Sequence, residues 1–199
     1  MWKMTVSLRE RRRQQTARDI QMATLELAVQ HGLDKVTTEE IAEWAGVSTR
    51  TFFNYYTNKE AAAVGAPPPF RETDKEALCA GVGTLAEDAK RFLDRYMEYL
   101  VRDEPIIRKI GGVLQSNEKA RGILDGILMM QRRELTDCLC KRVHNRQAAG
   151  ALASAMTGAI GRAIFLWNNE ENLSLNAALD IVWDGLIEAS NILASTSRD

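Results

Sequence analysis

Three of the chain's four prolines stand together at Pro67–Pro69, and this run constrains the fold more than any other feature. Proline removes a backbone donor and bars the helical conformation to the residue before it, so a helix must end near Val64. The rest of the 199 residues is almost free of proline, and no run alternates apolar with polar residues as a half-buried strand would. The chain therefore reads as all-α, with a boundary between a small module over 1–64 and a larger one over 70–199. With 45% hydrophobic residues it can bury a sizeable core or two fused ones.

Within the first module the pattern predicts a long helix over 9–31, carrying Ile20, Ala23, Leu27 and His31 along one face, then three short helices. Gly32 is placed to stop the first in the left-handed conformation. Beyond the prolines, amphipathic patterns predict helices near 74–103, 105–115, 117–144, 146–170 and 174–195. Pro105 suits a first turn, and Ser174 suits an N-cap.

Between Val36 and Lys59 the same helix-starting grammar occurs twice. Thr37 is a cap, Glu40 completes a capping box, and Val36 and Ile41 form a hydrophobic staple. Ser48 is the next cap, with Val47 and Phe52 as its staple. Gly46 lies between, where a tight turn needs positive φ without steric cost. Ala42, four residues earlier, lets the two helices cross closely, and Phe52 fills the wedge between them. This is helix-turn-helix spacing, although two capped helices around one glycine also describe an ordinary helical hairpin. The second helix separates the two readings. With Phe52 and Tyr56 facing inward, its outer side offers Thr49, Arg50, Thr51, Phe53 and Tyr55 and no acid. Hydroxyls, a guanidinium and aromatic edges suit a major groove, whereas carboxylates are repelled by phosphates.

Net charge says little, since 26 basic residues stand against 27 acidic ones. Its distribution says more. Residues 1–18 hold six basic groups, Lys3, Arg9, Arg11, Arg12, Arg13 and Arg18, against Glu10 alone. Such a segment reads as a basic arm for phosphates, with Arg11 and Arg12 at its centre, or as a solvated tail. Three cysteines, Cys79, Cys138 and Cys140, are odd in number and suit free thiols in a reducing, cytoplasmic setting better than a disulfide framework. Cys140 and His144 lie four apart, but no second ligand pair matches them, so no metal and no cofactor is expected. The longest uncharged apolar stretch, Ala148 to Gly161, is too short to span a bilayer, so a soluble protein with no membrane partner is expected. The only histidines are His31 and His144, and no nucleophile, base and orienting group cluster in sequence, which argues against an enzyme.

The run from Thr37 to Glu60, ending Thr51-Phe-Phe-Asn-Tyr-Tyr-Thr-Asn-Lys-Glu60, resembles the DNA-binding domain of the TetR family of repressors, and the likeness extends over about residues 9–64. The resemblance implies a three-helix helix-turn-helix head followed by a helical ligand-binding and dimerisation domain. It implies a double-stranded DNA operator as partner and a regulator released from it by a small effector. Thr38 takes the family's phosphate-contacting position at a helix start. Ser48, Thr49, Arg50, Thr51 and Phe53 fall on the base-reading helix, and Tyr55 and Lys59 match the pair that clamps phosphates. Asn58 caps the helix that transmits ligand state. Phe53 departs from the family's usual tyrosine, so no hydroxyl can bond there. Arg50 suits bidentate reading of guanine. Trp44 reads as a support residue.

In the second module, Gly150, Ser154 and Gly158 form a small-residue row beside Ala151, Ala155, Ala159 and Ala163, which lets another backbone approach. Leu179, Val182, Trp183, Leu186, Ser190 and Leu193 stripe the last helix. The resemblance implies that these two helices pair with their twins in a homodimer; packing within one chain is the alternative. Phe92, Tyr96, Ile127, Met130 and Trp167 read as core or, through the resemblance, as the lining of an apolar effector site, with Arg162 as a polar anchor. The Leu8-Arg-Glu-Arg-Arg-Arg start and Arg50-Thr-Phe-Phe-Asn-Tyr also resemble an actinobacterial subgroup with acyl-CoA-like ligands, so an acyl-type effector is expected. A regulator whose second domain only dimerises or binds a protein fits the same residues.

Overall fold

The computed structural model describes residues 7–81 and 83–195. Lys3, counted in the basic segment, lies outside them. Among the described residues every regular element is helical. Helix α1, Leu8–His31, is capped by Ser7, whose hydroxyl accepts from the Glu10 N–H at 3.2 Å. The basic stretch is therefore helical from Leu8 onward. A 3-10 turn at Leu33–Lys35 leads to α2, Thr38–Trp44; α3, Thr49–Tyr55; and α4, Lys59–Val64. Then follow α5, Glu72–Ala80; α6, Leu85–Leu100; α7, Glu104–Ser116; α8, Glu118–Val143; α9, Arg146–Asn169; and α10, Leu175–Ser195.

The chain folds into two compact units that interleave in sequence. One comprises residues up to Pro67 together with Pro105–Gly126; the other comprises Pro68–Glu104 and residues from Ile127 on. One division falls between Pro67 and Pro68, and α7 beyond Glu104 and the first turns of α8 join the head. The bonds responsible are local to that unit. Asn117 caps α8 by accepting from the Ala120 N–H, and its amide donates to the Asp34 carboxylate at 2.9 Å. Lys119 pairs with the buried Glu60 at 3.2 Å.

Ile20, Ala23, Leu27, Val36, Ile41, Ala42, Phe52 and Ala62 form the core of the head. Helix α4 ends at Gly65 (φ 65°), where a Cβ would stand 2.2 Å from the Gln21 amide nitrogen. That amide donates to the carbonyls of Ala63 and Val64, satisfying acceptors that the helix end leaves open.

In the second unit the single helix expected over 74–103 is two, α5 and α6. Gly81 turns left-handed (φ 57°), and Thr84 starts α6 with a capping box to Glu87. Arg142 of α8 holds the intervening loop, donating to the carbonyls of Leu78 at 3.1 Å and Gly83 at 2.6 Å and to the buried Asp88 at 2.7 Å. The Arg142 hydrogen bond, assisted by Arg91, keeps the Asp88 carboxyl below its ordinary value despite burial. A depressed aspartate stabilises fully above its unfolded value, about 3.9, and loses that contribution as pH falls through its folded value. Acid unfolding followed by circular dichroism should therefore steepen below about pH 4, and Asp88→Asn should flatten that limb while lowering stability at neutral pH. An unchanged acid limb would remove Asp88 from this role.

The cysteines also depart from expectation. Cys79 of α5 and Cys138 of α8 form a disulfide with a Cα–Cα distance of 6.0 Å, and Cys140 alone is free. An odd count suggested thiols, but one unpaired residue is compatible with one bridge. His144 lies past the end of α8 with φ 58°, so it shares no helix face with Cys140.

Helix α9 as a whole is long and apolar enough to cross a membrane by length and composition, although its longest uncharged run is not. The fuller window tolerates Arg162. In this structure α9 lies along α10 and buries Ala149, Ala153, Met156, Ala159, Ala163 and Trp167.

Candidate nucleic-acid interface

Helices α2 and α3 meet around Gly46 as their spacing requires. Thr37 accepts from the Glu40 N–H, and Glu40 accepts from the Thr37 N–H at 2.8 Å and from its hydroxyl at 2.9 Å. These bonds, the backbone one foremost, hold the Glu40 carboxyl below its ordinary value. Gly46 takes φ 67°, its N–H donates to the Glu43 carbonyl, and the Val47 N–H reaches back to Ala42. That is a Schellman ending, and the chain leaves it directly into α3. Ser48 caps α3 by accepting from the Thr51 N–H at 3.1 Å, and the two hydroxyls lie 2.8 Å apart.

Phe52 is fully buried, and the half-buried Tyr56 anchors α3 by donating to the Ala17 carbonyl at 3.0 Å. Burial pushes the Tyr56 phenol up to about 12, so it remains a donor at any ordinary pH. With these two turned inward, Arg50 and Phe53 stand exposed, Phe53 by 53%, while Thr49, Thr51 and Tyr55 are half-buried. Helix α3 carries no acid.

The N-terminal part of α1 and α3 together line an open groove. Arg9, Glu10, Arg12, Arg13 and Thr16 face Thr51, Asn54 and Tyr55 across it, so three cations and one carboxylate line the α1 side. Arg11 is exposed but outside the lining. Helical phase explains the difference, because residues three and four apart share a face. The same periodicity could have picked out Arg9, Arg12, Arg13 and Thr16 from sequence. Asn54 gave no such signal.

Thr38 and Lys59, the phosphate contacts the resemblance implies, form bonds within the chain. The Thr38 hydroxyl donates to the adjacent Glu39 carboxylate at 3.1 Å. The Lys59 ammonium donates to the carbonyls of Asp34 at 2.9 Å and Val36 at 2.8 Å, fastening the turn before α2 to α4. Hydrogen bonds to a charged donor are worth about 1.5–3 kcal/mol. Lys59→Ala should thus lower the head's stability by about that much, read in a urea titration, rather than only weaken DNA binding. An unaltered midpoint would restore the phosphate role. Trp44 is 57% exposed and donates from its indole N–H to Glu26 at 3.0 Å, as a support residue would.

The six residues expected around an effector do not converge. Phe92, Tyr96 and Trp167 are buried, and Ile127 is half-buried. Met130 is 64% exposed on the outer side of α8, and Arg162 is exposed with its guanidinium 5.8 Å from the Phe165 ring. Helical phase turned both outward. Phe70, just past the prolines and absent from the expected set, packs its ring on Phe92 and Tyr96. The two small-residue rows of α9 also separate. Ser154 and Gly158 are exposed, whereas Ala159 and Ala163 are buried within the chain. On α10, Leu179 is buried while Ser190 and Leu193 are exposed.

A capped pair of short helices around a left-handed glycine, with an acid-free second helix beside three arginines, defines a helix-turn-helix protein. The sequence profile of the bacterial regulatory proteins of the tetR family matches residues 20–62, so the head carries that family's DNA-binding segment. The family's members are transcriptional regulators rather than enzymes. A Mycobacterium tuberculosis protein named as a regulator of mycofactocin biosynthesis, MftR, is 40% identical over 55 residues, 28% of this chain and 28% of that protein's length. The structure of a Mesorhizobium loti protein named as a TetR-family transcriptional regulator aligns over 88% of this chain and 96% of that one, with 17% identity and a TM-score of 0.51. At that identity the likeness concerns the fold. The Thermus thermophilus repressor FadR, solved with lauroyl-CoA, aligns over 86% of this chain and 93% of its own at 20% identity and a TM-score of 0.47, too low to carry an argument about ligands.

Proposed function

We propose that the chain is a DNA-binding transcriptional repressor, working as a cytoplasmic homodimer released from its operator by a small apolar effector. The unit that contains α1 to α4 reads DNA, and the unit of Pro68–Glu104 and residues from Ile127 on dimerises and senses. One observation carries the reading: the groove in which Arg9, Arg12 and Arg13, outnumbering Glu10 beside them, face the acid-free α3. Its cations suit phosphates, while the exposed Arg50 and Phe53 suit base edges. Two half-sites about 34–36 Å apart require two heads, which supports the dimer. The exposed Ser154 and Gly158 leave room for a second backbone against α9.

The test is a titration of duplex DNA at rising salt. Each phosphate neutralised adds about 0.9 to the slope of log affinity against log salt. A triple change of Arg9, Arg12 and Arg13 to alanine should flatten that slope by about 3 if each contacts one phosphate. Arg50→Ala should leave the slope nearly intact and relax the preference at one base pair. Salt-insensitive binding, or none to genomic fragments, would sink the reading. In the same preparation Gly158→Arg should convert dimer to monomer in ultracentrifugation, and partition into vesicles would instead assign α9 to a bilayer.

A second reading, in which the larger module only dimerises or holds a protein partner, draws on Met130 and Arg162 standing at the surface. Thermal shift against ligand collections separates the two, because a ligand that prefers the native state raises its melting temperature.

A further inference from the structure

We propose that Phe70 plugs the effector site, and that the effector is a neutral aromatic molecule bearing a carbonyl-type oxygen; the inference rests on the effector reading above. Phe70 belongs to the irregular segment between α4 and α5, yet it is as buried as a core residue. Its ring centroid lies 5.1 Å from that of Phe92, tilted, and 4.9 Å from that of Tyr96, edge-on. Two residues expected to receive an effector are thus already engaged by a ring from the chain itself. Aromatic rings prefer this tilted and edge-to-face company over other apolar neighbours of the same area.

Beside the ring, two donors meet at one acceptor. The Tyr96 hydroxyl donates to the Pro68 carbonyl at 3.0 Å, and the buried Gln131 amide donates to the same oxygen at 3.1 Å. Burial pushes the Tyr96 phenol up to about 12, so it stays neutral and protonated. A neutral carbonyl fits such a pair, and leaving two buried donors without any acceptor is costly.

The segment is held at the Pro68 carbonyl by those two bonds, at Phe70 by its ring contacts, and at Arg71 by the Tyr99 ring 3.5 Å from the guanidinium. Pro67, Pro68 and Pro69 have no backbone N–H to give, Pro69 is exposed, and its two proline neighbours are only half-buried. Lifting it away opens an aromatic slot with two donors pointing at the place an oxygen has left. An aryl carbonyl compound supplies both the ring and the oxygen. Its apparent affinity falls by the fraction of molecules in which Phe70 occupies the slot, so removing the plug strengthens binding. Only residues 65–69 separate Phe70 from the end of α4, so expelling its ring frees the stretch of chain that leaves the head.

The experiment uses the full chain and three probes: benzamide, with ring and carbonyl; toluene, with the ring alone; and hexanamide, with the carbonyl alone. By calorimetry, Phe70→Ala should bind benzamide about tenfold or more tighter than the wild type does. It should prefer benzamide to both other probes, and Tyr96→Phe added to it should erase the advantage over toluene. Equal benzamide affinity in wild type and variant overturns the plug, and hexanamide binding as well as benzamide overturns the aromatic class. Should Phe70→Ala fail to fold, Phe70→Leu keeps the apolar filling without the ring. A smaller gain in benzamide affinity is then expected, and no gain overturns the plug. DNA affinity of the wild type is measured separately. Benzamide that binds the variant without altering DNA affinity leaves the plug standing and removes the effector reading.

Discussion

Replacing Phe52 by alanine is expected to cost about 3–5 kcal/mol and to abolish DNA binding with it. The side chain is fully buried among Ile20, Ala23, Ile41, Ala42 and Ala62, where α1, α2, α3 and α4 meet. Its loss removes apolar area from a core too small to collapse around the gap, because those neighbours are short or already packed. Stabilities of whole domains run to only about 5–15 kcal/mol, so this one truncation consumes much of the margin. Phe53 is the control. It follows Phe52 in sequence and touches it edge-on at 5.3 Å, but it is half exposed. Phe53→Ala should change the unfolding free energy by no more than about 0.5 kcal/mol, while weakening DNA binding if the ring meets a base or sugar. Urea titration and fluorescence anisotropy on both variants decide the matter. A Phe52→Ala protein as stable as the wild type would mean that α3 is not seated on this core.

The contrast between these neighbours shows what could be read without the structure. Local signals were complete in the head: the Thr37–Glu40 box, the left-handed Gly46 and the Ser48 cap are each decided within a few residues, and all are observed. Helical phase then settled which aromatic turns inward. The contacts that local grammar does not encode were missed. Lys59 finds its carbonyls at Asp34 and Val36, 25 and 23 residues away. Asn117 finds Asp34 across 83 residues, which is why the first turns of α8 joined the head unforeseen. The split of the expected 74–103 helix was legible, since Gly81 and the Thr84–Glu87 box both announce it, but the apolar periodicity on either side masked the break. The apolar set of the second unit is ambiguous for another reason. An apolar stripe marks a buried face, and nothing in a stripe distinguishes core from cavity or reveals that Phe70, from a proline-rich segment, fills the space.

Reducing the Cys79–Cys138 bond is the other change expected to have a large effect. The bridge joins α5 to α8 across 59 residues of sequence. In the chain-entropy account, opening a loop of that length restores freedom to the unfolded chain worth about 4 kcal/mol. In a chain of this size each kcal/mol moves the melting temperature by about 2–4 °C, so reductant should lower it by about 10 °C. Cys79→Ser should reproduce the fall without reductant, and reductant should then do nothing more. Cys140→Ser should change neither value, because that thiol is free and lies outside the bridge. The residue left when the bond opens matters too. Cys138 is buried, and its sulfur lies 3.4 Å from the Lys75 carbonyl, while the Cys79 sulfur lies 3.2 Å from the Cys138 carbonyl, so each thiol already has an acceptor. The native state therefore tolerates reduction without an orphaned donor, and the loss should come from the unfolded state alone. Denaturant slopes test that assignment: a more expanded unfolded chain exposes more surface and raises the slope as the midpoint falls. A melting temperature indifferent to reductant would show that the two sulfurs are not bonded in solution.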